Sequence, residues 1–344
     1  MSADTSIDLD TGSYWGVDAD EWRDQEDFAD SQAICRRVVS ARPPAADLPD
    51  AKAAAALAEC SSVDLYYGLG GHADAEKARH CAYVELAKAR AEGYGLGMSG
   101  AGVLTMIYAN GDGVERNLEV ATRFACSISA AAPAELDGRA KHLAALSGKP
   151  TERLDYCDDV TSGWAGGECA YVDSRRMADK RAARLKALTA GWTSDQLATL
   201  ATLRTTEEAF AESRANTEFD LSGTMWRVFQ LGARSEVFES TVERIEALEK
   251  GPLTRDVELG AAERRLNEVY RRTIGSNDFT DNDGYLTSEG LRKTERLWIS
   301  YRDAFVSLAR LRWPQSQDAL SAALAVERTQ QLHCLTADFE GYDC

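Results

Sequence analysis

A twelve-residue pattern occurs twice in the carboxy-terminal half of this chain. Leu203 to Arg214 reads LRTTEEAFAESR and Leu291 to Arg302 reads LRKTERLWISYR, so Leu, Arg, Thr, Glu, an aromatic and Arg return at matching places. Upstream, Arg184-Leu185 answers Arg265-Leu266; downstream, Val242-Glu243-Arg244 answers Val326-Glu327-Arg328. Self-similarity of this length marks a duplicated supersecondary unit, and such units bury their apolar faces on one another. Each copy reads as a long helix, a turn, a second long helix carrying the motif, and a third helix. In the second copy Leu291, Leu297, Trp298, Tyr301 and Phe305 fall near heptad spacing and belong to an interhelix core. Pro314 suits the first turn of the last helix. No segment sustains the alternation of a strand, so the expected class is all-α.

Residues 50–147, rich in Ala and Gly, read as short helices joined by glycine turns. The clearest unit is AGVLTMIYANGDGVERNLEVATRFAC at 101–126. Leu104, Ile107 and Tyr108 line one helix face, Gly111 and Gly113 permit a turn with positive φ, and Asn117 caps the next helix. DLYYGLGGHADAEKARHCA at 64–82 repeats the theme, with Tyr67-Gly68 facing Asn110-Gly111 and Ala78 facing Ala121. Residues 1–15 read as disordered or loosely docked. A helix is expected from Asp18, where Asp18 and Glu21 have capping-box spacing, and ARPP at 41–44 ends it. Tyr14, Trp15, Trp22 and Phe28 imply that part of this acidic arm packs.

The chain has 344 residues, room for two or three modest domains, and a net charge of −17. Residues 1–30 hold ten Asp or Glu against a single Arg, Arg23. That balance argues against a nucleic-acid partner, whose phosphates need a basic surface, and suits a basic protein partner. No apolar run reaches the length of a membrane span. No signal-peptide pattern opens the chain (MSADTSIDLD), so the compartment is read from the cysteines. Eight cysteines without a close CxxC pair indicate an oxidising, periplasmic or secreted setting. Cys157 and Cys169 close the short loop CDDVTSGWAGGEC, and a disulfide there contributes about 3 kcal/mol through loop closure. The other six, Cys35, Cys60, Cys81, Cys126, Cys334 and Cys344, allow about fifteen pairings, of which proximity in sequence suggests Cys60 with Cys81 and Cys334 with Cys344.

Several motifs resolve into ordinary structure. Gly95-Leu96-Gly97-Met98-Ser99-Gly100 matches GxGxxG but follows a helical pattern, so it reads as an interhelix turn rather than a dinucleotide site. Asp281-Asn282-Asp283-Gly284 resembles part of a calcium loop, yet Phe279 and Gly290 stand where carboxylates belong. The four His, at 72, 80, 142 and 333, lack ligand spacing. No cofactor and no metal is expected. The repeated Glu207 with Arg214 and Glu295 with Arg302 read as structural ion pairs. Asp281, Asp283 and Tyr285 are taken as candidates for partner contact.

Two resemblances add to this reading. The aromatic, the two spaced glycines, the Val and the later small residues of 101–126 resemble the Sel-like repeats, relatives of the tetratricopeptide repeat. That resemblance implies helical hairpins that serve as protein-binding scaffolds. The carboxy-terminal half resembles the LprI-type lysozyme-inhibitor family of bacterial envelope proteins. The residues concerned are Cys157, Asp158, Thr161 and Cys169, then Leu266, Asn267 and Tyr270, then Trp298, Tyr301, Arg302 and Asp303, and finally Arg328 and Leu332. Phe305 and Val306 stand where that family commonly has a cysteine. Four segments are expected: an acidic arm with one helix (1–44), a Sel-like region (45–150) and two LprI-like units (151–252 and 253–344). The expected function is a non-enzymatic envelope binding protein, an inhibitor or immunity protein against a lysozyme-like or other basic cell-wall hydrolase. The alternative is a scaffold acting through the Sel-like repeats, and a third reading is a hydrolase.

Overall fold

The computed structural model describes residues 14–17, 26–93, 97–254, 257–276 and 286–335. Among the described residues it is all α, with thirteen α-helices and no strand. The chain divides into two compact units, Met1–Arg175 and Arg176–Cys344.

The first unit holds α1 (Ala29–Val38), α2 (Ala51–Ala56), α3 (Ser62–Tyr67), α4 (Ala75–Glu92), α5 (Val103–Asn110), α6 (Leu118–Cys126), α7 (Pro133–Ala145) and the start of α8 (Gly163–Leu188). Two hairpins, α3–α4 and α5–α6, are built alike. Each first helix ends on a left-handed glycine, Gly68 at φ +69° and Gly111 at φ +72°, a conformation that costs only glycine nothing. Each second helix is capped by a side chain: Asp74 accepts from the Lys77 N–H and Asn117 from the Val120 N–H. Even the bond that closes each turn is shared. The Asp74 N–H donates to the Leu65 carbonyl at 3.0 Å and the Asn117 N–H to the Tyr108 carbonyl at 2.9 Å. Every counterpart lies 43 residues on, from Gly68 to Gly111 and from Asp74 to Asn117. Helix α5 is not the one-faced stripe expected from its sequence, because Val103 through Ala109 are all buried.

Tyr14 and Trp15 are buried, as the aromatic residues of the acidic arm imply. The Tyr14 hydroxyl donates to the Cys35 carbonyl at 3.1 Å, and Trp15 Nε1 donates to Ser31 Oγ at 3.1 Å. The helix expected from Asp18 begins at Ala29, after a single turn Glu26–Phe28; Asp18 to Gln25, with Trp22, lie outside the described residues. Three disulfides pin this unit. Cys60–Cys81 and Cys157–Cys169 are the bonds that sequence proximity suggested. The third, Cys35–Cys126, ties α1 to the end of α6. The expected Cys334–Cys344 bond falls on Cys344, outside the described residues.

The second unit continues α8 and adds α9 (Ser194–Thr217), α10 (Trp226–Lys250), α11 (Leu259–Ile274), α12 (Ser288–Arg312) and α13 (Gln317–Cys334). The repeated twelve residues lie within α9 and α12, and these two helices form the most extensive pairing of the unit. They run antiparallel, since contact positions rise along α9 as they fall along α12. Trp192 meets Trp313 edge-on at 5.6 Å, Phe210 stacks on Tyr301 at 5.6 Å, and Ser213 bonds Thr294 at 2.7 Å. Leu203, Leu291, Phe305 and Leu308 are fully enclosed in the same core. Burying side chains of this size stabilises by roughly 1.5–3 kcal/mol each. Pro314 opens a short turn, Pro314–Ser316, that leads into α13.

Cys35 and Cys126 are separated by 91 residues, the longest loop closed by a described disulfide. By loop-closure entropy its removal costs about 4–5 kcal/mol. The double variant Cys35→Ser with Cys126→Ser is expected to unfold at lower urea with a steeper dependence on denaturant, because the unfolded chain without this cross-link exposes more surface. Equal midpoints for variant and wild type would refute this.

Candidate functional site

Along α9 and α12, position i of the first copy corresponds to i+88 of the second, as Leu203 to Leu291 and Arg214 to Arg302. Phe210 and Trp298 are therefore counterparts, and both line one small cleft with Val237, Tyr301, Glu327 and Gln331. Its volume of about 10 Å³ is that of roughly one water molecule. A substrate or drug-sized ligand needs some hundreds of Å³.

Among the described residues, Glu327 is the one charged residue lining this cleft, and it belongs to a wider set of ion pairs among α9, α10, α12 and α13. Arg328 of α13 is fully buried and bridges the two copies. It donates to both carboxylate oxygens of Glu218, at 2.6 and 3.0 Å, and to Glu295 at 2.9 Å, and it lies over the Phe210 ring. Burial alone would lower its pKa, but the two carboxylates outweigh that and hold it above the usual arginine value. Arg214 donates to Glu236 at 2.9 Å and to the Ala233 carbonyl at 3.3 Å. Arg302 is bound to its neighbour Asp303 and lies over Trp298. The expected pairs Glu207–Arg214 and Glu295–Arg302 thus do not form. Arg214 and Arg302 reach other acids, Glu295 is taken by Arg328, and Glu207 by Arg204.

The counterparts differ in one respect. Arg244 of α10 is the twin of Arg328, but the place matching Glu218 holds Val306. Arg244 pairs instead with Glu327 at 2.5 Å, and Ser240 donates to the other oxygen of Glu327 at 2.8 Å. Glu207, the twin of Glu295, is left with Arg204 on one oxygen. Its Oε1 is buried without a close hydrogen bond, and the Thr241 hydroxyl of α10 lies near enough to favour the charged carboxylate. Burial pushes the Glu207 carboxyl up to about 7, against the pull of Arg204.

In the first unit, buried and half-buried carboxylates act as fasteners of backbone. Met98 N–H donates to Glu168 at 3.1 Å and Gly100 N–H to Glu85 at 2.9 Å. The described part of the GxGxxG match is therefore an interhelix turn whose N–H groups already serve carboxylates. Glu135 accepts from the Thr161 and Ser162 N–H groups at 2.9 and 2.6 Å, so it holds the turn before α8. Gly102 packs against Tyr156, and a Cβ there would come within 2.8 Å of the ring. Among the described residues no three His, Cys, Asp or Glu side chains converge on a metal position.

Asp281, Asp283 and Tyr285 lie outside the described residues. Of the residues behind the inhibitor resemblance, Leu266, Trp298, Tyr301, Arg328 and Leu332 are buried in the second unit's core, while Asn267 is exposed. Cys157 and Cys169 belong to the first unit. The sequence reading overlooked the connection from α9 to α10. There Phe219 stacks on Phe229 at 6.4 Å, Arg227 lies over Trp226, and Met225 and Phe229 are exposed. The run FDLSGTMWRVF carried that signal, since apolar residues flank a glycine turn where polar ones are usual. No helix of the described residues is long and apolar enough to cross a membrane. Comparison of the chain with family models, curated proteins and solved structures finds no match.

Replacing Arg328 by Ala strands Glu218 and Glu295 as uncompensated buried acids. The expected cost is about 3–5 kcal/mol, read as a lowered urea midpoint. Arg302→Ala, at a half-exposed pair with Asp303, is expected to cost under about 1 kcal/mol. Equal effects of the two substitutions would contradict this account.

Proposed function

We propose that the protein is a non-enzymatic binding protein of the bacterial envelope, an inhibitor or immunity protein that covers the cleft of a basic cell-wall hydrolase. The observation that carries this reading is the use of the enclosed acids. Glu85, Glu135 and Glu168 are bound to backbone N–H groups, and Glu218, Glu295 and Glu327 to arginines. A glycoside hydrolase needs two carboxyls facing a substrate cleft; one acid, Glu327, lines the cleft of the second unit, and it is held by Arg244 and Ser240. Three disulfides support an oxidising compartment. The net charge of −17 favours encounter with a basic partner. The aromatic corner formed by Phe219, Met225, Trp226 and Phe229 supplies the apolar area that a partner would cover. The resemblance to LprI-type inhibitors points the same way.

A second reading has its own support in the twin hairpins α3–α4 and α5–α6, which repeat at a fixed spacing as scaffold repeats do. On that reading the partner is captured by the first unit.

The inhibitor reading predicts dose-dependent loss of lysozyme activity on cell walls, weakening as salt rises. Trp226→Ala with Phe229→Ala is expected to weaken inhibition at least about tenfold, the loss of two aromatic contacts. Undiminished lysis at excess protein would overturn the reading. Capture of an envelope partner that survives the double substitution would favour the scaffold.

A further inference from the structure

Four residues of the acidic arm, Tyr14 to Val17, pack on a disulfide. They form a turn closed by the Val17 N–H on the Tyr14 carbonyl at 3.1 Å. Gly16 takes φ +80° in it, and a Cβ there would come within 2.8 Å of the Gln32 carbonyl oxygen. Consecutive residues of the turn bond the two cysteines of one bridge. The Tyr14 hydroxyl donates to the Cys35 carbonyl at 3.1 Å, and the Trp15 N–H donates to the Cys126 carbonyl at 2.9 Å. Trp15 also reaches α1 through Nε1 on Ser31 Oγ at 3.1 Å, and its ring meets Phe28 at 5.6 Å. Arg123 of α6 lies over the Tyr14 ring, and Arg36 of α1 donates to the Gly16 carbonyl at 3.0 Å. The turn therefore spans the same two helices, α1 and α6, that Cys35–Cys126 cross-links. Cys35 and Cys126 are both buried, whereas Cys60, Cys157 and Cys169 of the other two bridges are half-buried.

We propose that the Tyr14–Val17 turn is a latch coupled to Cys35–Cys126. Docked, it shields the disulfide from small thiols; cleavage of the disulfide releases it. The coupling is reciprocal because both links join one pair of helices. With the turn seated, α1 and α6 keep the spacing that the bond requires. A cysteine thiolate expelled by an attacking thiol then stays beside its partner and closes the bond again. With the bond cut, the Cys35 and Cys126 carbonyls are free to separate, and the turn no longer satisfies both. The chemistry is thiol–disulfide exchange with a low-molecular-weight thiol as reductant. Its thiolate attacks one sulfur to form a mixed disulfide, and the other cysteine leaves as a thiolate. A second small thiolate resolves the mixed disulfide and frees the remaining cysteine. The protein bridge gains two electrons, two small thiols are oxidised to one disulfide, and the protons they gave up pass to the cysteines. The latch lies within the first unit and acts whatever partner the protein binds.

Native protein treated with dithiothreitol, sampled by rapid alkylation and peptide mass spectrometry, gives a reduction rate for each bridge. In Trp15→Ala, and in Gly16→Ala, Cys35–Cys126 is expected to be reduced at least about fivefold faster than in the wild type. Cys60–Cys81 and Cys157–Cys169 serve as internal clocks and are expected to keep their wild-type rates. An unchanged Cys35–Cys126 rate would overturn the latch. So would an equal acceleration of all three bridges, which marks general loosening. The wild type alone tests the reverse direction, even where a variant fails to fold. Hydroxyl-radical footprinting is expected to show oxidation of Tyr14 and Trp15 rising as Cys35–Cys126 is reduced, while Tyr83 and Tyr108, enclosed in the same core, stay protected. Continued protection of Tyr14 and Trp15 after that bond is cut, or a rise shared by Tyr83 and Tyr108, would overturn the coupling.

Discussion

The second unit depends on one enclosed charge. Arg328 has no access to water, and its counter-charges come from different copies of the repeat, Glu218 at the end of α9 and Glu295 within α12. A guanidinium so placed tolerates little displacement of either helix, because any shift that breaks one bidentate contact leaves ions stranded in a medium that solvates them poorly. Apolar packing gives α9 and α12 their attraction. The ion triad restricts the register at which that attraction can be satisfied, and the Ser213–Thr294–Thr217 hydroxyl chain on the same seam does so more weakly.

The first unit solves a different problem by related means. Several of its helices are short, and short helices leave a large fraction of N–H groups without intrahelical partners. Acidic side chains supply acceptors at these ends: Glu85 for the turn before α5, Glu168 for its neighbour Met98, Glu135 for the start of α8. Disulfides then restrict the unfolded chain, which suits helices of six to ten residues that would not persist alone. Many acids in an acidic protein are thus neither surface decoration nor reactive groups. They close backbone hydrogen-bonding gaps.

Much of this architecture could be read before the structure. The duplicated motif located the long helices α9 and α12 because its aromatic and aliphatic positions recur at helical spacing, while their pairing with each other emerged only in the structure. The glycine turns after Tyr67 and Asn110 located the hairpins because positive φ leaves few alternatives to glycine. Two disulfides were visible because their cysteines are close in sequence; Cys35–Cys126 was not, since a separation of 91 residues carries no local trace. The ion pairs were misassigned for a similar reason. Glu207 and Arg214 lie seven residues apart on one helix; Arg214 is taken by Glu236 of the neighbouring α10, and Glu207 by Arg204, one turn earlier on α9 itself. The cleft escaped notice altogether, as it is assembled from four helices.

The fixed offset between α9 and α12 has a geometric consequence. Phe210 and Trp298 are the same position of the ancestral motif and share one cleft. A face whose crossing point brings a residue beside its own equivalent is self-complementary. A chain bearing a single block would therefore carry both halves of the seam and could pair with an identical molecule about a twofold axis. Joining the blocks in one polypeptide makes that encounter intramolecular and frees each half to diverge, as Glu218 and its counterpart Val306 have done.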